Sequence, residues 1–289
     1  MAHLDELPPD LMTELRVSAA HPLSGGDSAN AFRLDTPDGP LFAKTMSYAP
    51  EGVLPVEAAA LEALRAVAPD EVRIPAVRHV SEDALVLEWI DEVQGERTRA
   101  TERILGVGLA GIHRARAPHV GWLSPELPER IGSMAVDLTP TDDWADFLLE
   151  RRIEPLLRAA VDAGNLDPAA TGVLAELAPR AAELAGPREP PSLLHGDLWA
   201  GNRVVDSAGA NWLIDPSSFY GHREYDLAMM QLFGGFGRDC FAAYDDAHPL
   251  ADGWQQRVPW YQLPPLLVHA LRFGGGYGGS VMRALRQLA

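Results

Sequence analysis

The stretch "LLHGDLWAGNRVV", residues 193–205, decides how the rest of the chain is read. Leu193, Leu194, Val204 and Val205 are apolar and resemble strand ends leaving a core, whereas the centre is small, polar and loop-like. A polar loop held between two buried segments is where a rigid scaffold presents reactive side chains. Asp197 follows His195 and Gly196, and Asn202 comes five residues after it.

In phosphoryl transfer an aspartate orients or deprotonates the attacking hydroxyl, and an asparagine a few residues on ligates Mg²⁺. The pattern H-x-D-x-x-x-x-N has that spacing, so Asp197 is the candidate catalytic base and Asn202 a metal ligand. A second metal carboxylate is then expected on the next strand, because two ligands must converge on the β- and γ-phosphates. "NWLIDPSS" supplies it as Asp215. Pro216 fixes the backbone behind that ligand, which disfavours a swinging activation segment and points to a small-molecule acceptor.

Upstream, the same chemistry needs a phosphate-binding lysine on a strand and a helix carboxylate to hold it. Lys44 in "LFAKTM" is the only lysine in a chain that otherwise uses arginine. A compact ammonium and a forked guanidinium are not equivalent, so this choice carries information. Glu57 falls on the apolar face formed by Leu54, Leu61, Leu64 and Val67, and a buried acid there requires a partner such as Lys44. "SGGDSANAF" lies between the first two predicted strands, where Gly25, Gly26, Ser28 and Asn30 suit a loop over phosphates. "LVLEWID" ends where two lobes would meet, so backbone groups of Glu88 and Ile90 are placed to bond adenine.

Residues 15–46 read as three strands, with Asp38-Gly39 as a hairpin turn. Residues 51–67 read as a helix, and "RHVSEDALVLEWID" as two further strands around Glu82-Asp83. Beyond about residue 100 the pattern is helical over 101–117, 141–164 (capped by Asp142 or Asp143) and 167–186. A hairpin is expected over 202–215, with helices over about 224–247 and 263–288. The fold class expected is α+β and two-lobed: a small β-rich ATP-binding lobe over residues 1–90, then a larger, mostly helical catalytic and substrate lobe over 91–289.

With 289 residues at 47% hydrophobic composition the chain can bury a substantial core. No apolar run approaches the roughly 18 residues of a membrane span, and the acidic start has no secretory features, so a cytoplasmic protein without a membrane partner is expected. The single Cys240 excludes an internal disulfide and a thiolate zinc site. A net charge of −17 argues against a nucleic-acid partner and serves solubility, while also suiting an amine-bearing substrate.

"HGDLWAGN" followed by "IDPSSFYGHREYDLAMMQLFGGF" closely resembles the fructosamine kinase, or ketosamine-3-kinase, family within the aminoglycoside phosphotransferase-like branch of the protein-kinase-like fold. The likeness extends through "GGDSANAF", "FAKT", "VEAAALEAL", "LGVGLAGIHR" and "FGGGYGGS". The core loop is shared by many phosphotransferases; Trp199 and "DPSSFYGHREYDLA" are narrower. The resemblance implies ATP- and Mg²⁺-dependent phosphorylation of the sugar 3-hydroxyl of a fructosamine or ribulosamine, free or protein-linked, leading to deglycation. It also implies that Trp199 walls the sugar pocket, with contacts from His269 and Arg272, and that the enzyme is a monomer. The alternative is a related phosphotransferase acting on an aminoglycoside, choline or homoserine hydroxyl. Where the family often carries a cysteine in the glycine-rich loop, this chain has Asp27; where a histidine-rich segment is expected, it reads "LLVHALRFGGGY". Asp226 is expected to brace the catalytic loop, His222 to be structural, and Gly274–Gly276 to break a helix.

Overall fold

The computed structural model describes residues 7–23, 29–48, 50–92 and 97–289. The phosphate-loop candidates Gly25, Gly26 and Ser28, with Asp27, lie outside the described residues. The chain begins with helix α1 (Pro9–Glu14), then β1 (Ala19–Leu23), β2 (Asn30–Thr36), β3 (Gly39–Thr45), α2 (Val53–Val67), β4 (Val72–Arg73), β5 (Val77–Val80) and β6 (Ala84–Glu88). Five of these strands form an antiparallel sheet in the order β1-β2-β3-β6-β5.

Side-chain alternation decides which face of this sheet each residue serves. Phe32, Leu34, Ala43, Ala84 and Val86 pack with Leu11 and Ala20 on one side. Leu85 and Leu87 pack with Leu54, Leu61 and Leu64 of α2 on the other. Phe42 joins this second cluster, so Lys44, two residues on, points to the helix side as well. Val67, expected on the apolar face of α2, is instead 36% exposed, because the helix ends there and turns away from the sheet. The strand expected from residue 15 begins only at Ala19; Pro9 opens α1 and Leu11 docks on the sheet.

The helical part contains α3 (Arg99–Ile112), β7 (Arg130–Ile131), β8 (Met134–Ala135), α4 (Trp144–Asp146), a π-helical turn (147–153), α5 (Glu154–Asp162), α6 (Ala169–Leu177) and α7 (Ala181–Ala185). It continues through β9 (Ser192–Leu193), β10 (Arg203–Val205), β11 (Asn211–Leu213), β12 (Tyr220–Gly221), α8 (Glu224–Leu232), α9 (Arg238–Ala247), α10 (Trp254–Tyr261), α11 (Leu263–Phe273) and α12 (Tyr277–Leu288). Asp143 caps α4 by accepting from the N–H groups of Ala145 and Asp146. Gly164, at φ +72°, closes α5. The helix expected over 167–186 tightens to a 3₁₀ turn at Pro179, and Gly234-Gly235 divides the one expected over 224–247. Gly274–Gly276 separates α11 from α12, as expected of a helix break. The hairpin β10-β11 forms with Val204 opposite Trp212, and β4 joins it in parallel. The result is the mixed α+β, protein-kinase-like arrangement expected, a sheet-rich part followed by a helical one. Among the described residues no helix is long and apolar enough to cross a membrane.

Candidate active site

Three segments distant in sequence meet around the 193–205 loop. The sheet delivers Lys44, α2 delivers Glu57, and the turn after β11 delivers Asp215. Lys44 Nζ donates to Glu57 Oε1 and to Asp215 Oδ1, each at 2.7 Å. Burial is the largest influence on all three groups. Burial alone would lower the Lys44 pKa, but the two carboxylates outweigh it and hold the ammonium above its ordinary value. Burial lifts Glu57 against the pull of Lys44, whereas the ammonium overcomes burial at Asp215 and keeps that carboxyl below its ordinary value. Glu57 is thus the paired acid its place on the apolar face implied.

Asp215 adopts φ +51°, the left-handed region that few residues other than glycine enter. It does so immediately before a proline, which further narrows its choices. Its side chain is 43% exposed. Such local strain persists where surrounding structure fixes it, and it gathers at functional sites.

The loop itself is held by its backbone. Asp226, fully buried on α8, accepts from the N–H groups of His195 at 2.7 Å and Gly196 at 2.9 Å, and from His113 Nε2 at 3.1 Å. These donors overcome burial and hold Asp226 below the usual carboxylate range. His113 in turn meets the Tyr244 hydroxyl at 2.8 Å. His195 Nε2 donates to the Ile214 carbonyl at 3.0 Å, which makes Nδ1 the acceptor for the Asp197 N–H. Burial lowers the His195 pKa and favours this neutral form. Gly196 sits at φ +82°, and a β-carbon there would lie 2.0 Å from the Ser217 carbonyl oxygen. Only glycine lets the loop pass the Asp215–Ser217 turn so closely.

Asp197 and Asn202 are joined directly: Asn202 Nδ2 donates to the Asp197 carbonyl at 2.8 Å and to its Oδ2 at 3.1 Å. Burial pushes the Asp197 carboxyl up to about 6; the Asn202 bond and the Arg272 charge oppose this, and Asp215 and Asp226 add to it. Asn202 Oδ1 makes no hydrogen bond among the described residues, and Lys44 takes Asp215 through Oδ1. Among the described residues no three His, Cys, Asp or Glu side chains converge as a metal cage. Two hard oxygen donors of this kind could hold Mg²⁺, which keeps several waters and takes phosphates as ligands.

Trp199 is 40% exposed and meets Phe233 edge-on, with ring centroids 6.3 Å apart. Phe233 lies 4.9 Å from His269, which also packs on Phe273 and Tyr277. His269 Nδ1 bonds the Pro265 carbonyl at 2.8 Å, so its ring is the hub of an aromatic cluster. Arg272 covers Phe273 at 5.4 Å. At the end of β6 the Glu88 N–H donates to the Ala76 carbonyl, and just beyond it the Ile90 carbonyl accepts from the Glu92 N–H. Asn30 is exposed at the start of β2, beside the undescribed loop. His222 is buried, with Nδ1 near the Glu224 N–H, away from the Lys44–Asp215 cluster.

Two contributors have no mark in the sequence. Phe233 precedes a glycine pair, the one signal that could have singled it out. Among the described residues Arg97 bonds backbone carbonyls alone, which leave no side-chain pattern to match.

The model of the fructosamine kinase family matches residues 4–289. A probable ketoamine kinase of Thermus thermophilus is 36% identical over 269 residues, covering 92% of each chain. The chloroplastic protein-ribulosamine 3-kinase of Arabidopsis thaliana is 32% identical over 278 residues, covering 89% of this chain and 79% of that one. The crystal structure of a candidate fructosamine-3-kinase from Thermobifida fusca superimposes with a TM-score of 0.88 at 34% identity, over 96% of this chain and 97% of the other. The match spans both the sheet and the helical part, including every segment that builds the site. The chain belongs to the fructosamine kinase family.

Proposed function

We propose that the protein transfers the γ-phosphoryl group of ATP to the 3-hydroxyl of a ketosamine, a fructosamine or ribulosamine, and so initiates deglycation. The observation that carries this reading is the junction of Asp197 and Asn202 with the Lys44–Glu57–Asp215 cluster. A raised-pKa carboxylate, an amide that reaches the Asp215 carbonyl at 3.4 Å and a buried ammonium stand beside one another there. The acceptor's identity is carried over from the names of the relatives and from Trp199 beside the loop.

In this reading Lys44 holds the phosphates and Glu57 holds Lys44. Asn202 Oδ1 and Asp215 Oδ2 hold Mg²⁺, which neutralises charge on the β- and γ-phosphates when bound. Asp197 accepts the proton of the attacking hydroxyl, and its raised pKa suits a base working near neutrality. Gly25, Gly26, Ser28 and Asn30 cover the phosphates, and backbone of Glu88 and Ile90 meets adenine. Trp199, His269 and Arg272 form the acceptor side. In this reading a lobe over residues 1–90 and a lobe over 91–289 hold ATP between them, and the protein works in the cytoplasm, a setting that the single buried thiol of Cys240 supports.

The test is ADP release with Mg²⁺–ATP across ribulosamines, fructosamines, aminoglycosides, choline and homoserine. Turnover confined to ketosamines is expected. Turnover confined to the other acceptors would keep the phosphotransferase and overturn the substrate.

A further inference from the structure

The catalytic loop and the 233–237 segment are joined by two side chains from the start of the helical part, Arg97 and Glu102. Arg97, just before α3, donates from Nη2 to the carbonyls of Ala200 at 2.8 Å and Arg203 at 3.2 Å. From Nη1 it donates to the Gly235 carbonyl at 3.1 Å. A guanidinium is a planar fork with fixed donors, so a single rigid group serves three carbonyls on two segments. The segments are in close contact at this point: a β-carbon on Gly235 would lie 2.4 Å from the Ala200 Cβ.

The far end of the 233–237 segment is tied to the same loop through Glu102, whose Oε1 accepts from the Arg203 guanidinium. The Gly237 N–H donates to Glu102 Oε2 at 2.6 Å, and the Arg203 guanidinium lies over the Phe236 ring at 5.7 Å. Phe233 projects on the α8 side of both anchors, 39% exposed and set against Trp199. Gly234 and Gly235 both have positive φ, +71° and +89°. Without a tether this pair gives the segment wide backbone freedom. Ordering it would then fall to the incoming acceptor and weaken its binding.

We propose that Arg97 is a positioning residue for acceptor recognition, fixing the Phe233 segment against the catalytic loop so that Trp199 and Phe233 form one rigid aromatic wall. The assignment rests on the reading that the acceptor binds beside Asp197. Such a wall takes the apolar face of a sugar, and its ring faces attract a protonated amine. A ketosamine presents both. Arg97 acts through the wall and touches neither ATP nor acceptor.

The experiment is steady-state kinetics of the full chain with Mg²⁺–ATP and whichever acceptor the wild type turns over. Arg97→Ala is expected to raise the acceptor KM about tenfold, leaving kcat and the ATP KM within about twofold, because uniform acceptor binding is what is lost. Millimolar guanidinium should restore the acceptor KM of Arg97→Ala, and should change neither the wild type nor Trp199→Ala. Gly235→Ala, with Arg97 intact, should raise the acceptor KM in the same selective way. Should Arg97→Ala not fold, Gly235→Ala and Arg97→Lys, which keeps the charge and loses the fork, carry the test by the same criterion. An unchanged acceptor KM, an equal rise in the ATP KM, or a defect that guanidinium does not repair overturns the assignment. If the wild type uses an acceptor other than a ketosamine, the proposed function falls and Arg97 is still judged on that acceptor. If the wild type uses ketosamines and the variants bind them normally, the function stands and the assignment falls.

Discussion

Replacing Asp226 by asparagine keeps the shape of the side chain and removes one acceptor. The carboxylate holds the N–H groups of His195 and Gly196 and the Nε2 of His113, with no exposure to water. In the less damaging orientation the amide oxygen keeps His195 and His113, and the NH₂ group faces the Gly196 N–H, donor against donor. A hydrogen bond to a charged group is worth about 1.5–3 kcal/mol, and an unpaired buried N–H costs about 1–3 kcal/mol. Together these give about 2.5–6 kcal/mol, which brackets the about 3–5 kcal/mol seen when a buried ionic contact loses one partner. Against a total of about 5–15 kcal/mol this is a large fraction. Urea unfolding at pH 7, followed by far-UV circular dichroism, measures it directly. The pH dependence follows in sign. A carboxylate held low in the folded state stabilises fully above its unfolded pKa of about 3.9, and that stability is lost as pH falls through the folded value. The gap between wild type and Asp226→Asn should therefore be constant from about pH 5 to 8 and close in acid. A loss below about 1 kcal/mol at pH 7 would refute the reasoning, because the brace would then carry no more than one ordinary hydrogen bond.

Lys44→Met should raise the KM for ATP by about tenfold or more while leaving the acceptor KM little changed, since the partners of the ammonium, Glu57, Asp215 and the phosphates, all lie on the nucleotide side of the reading; nucleotide titration and steady-state kinetics check this. With Asp197 raised to about 6, kcat should be full above that pH and fall as the base protonates below it. Arg272→Ala removes a charge that holds Asp197 down, so the acid limb of the pH–rate profile should move upward.

Much of the site was legible because phosphoryl transfer fixes both residue type and order along the chain. A lone lysine on a strand, an acid on an apolar helix face and the spacing of Asp197 to Asn202 each break a local pattern, and the structure brings Lys44, Glu57 and Asp215 into direct contact. The brace by Asp226 was readable from its place on the helix that follows the catalytic segment, and its carboxylate holds the N–H groups of His195 and Gly196. Helix ends were less legible. Gly234-Gly235 and Pro179 interrupt segments whose composition is helical throughout, and β4 pairs with a strand some 140 residues away through a register that no local signal announces. Arg97 lay beyond reading because its partners are carbonyls. Phe233 gains meaning only once Trp199 is seen beside it.

The most direct test of the central claim follows the reaction by ³¹P NMR with Mg²⁺–ATP and a ketosamine, for wild type and Asp197→Asn together. The account predicts a 3-phosphate ester growing as ATP is consumed by wild type, and no ester from Asp197→Asn, which still binds Mg²⁺–ATP. An ester at another hydroxyl, or substantial transfer by Asp197→Asn, would contradict it.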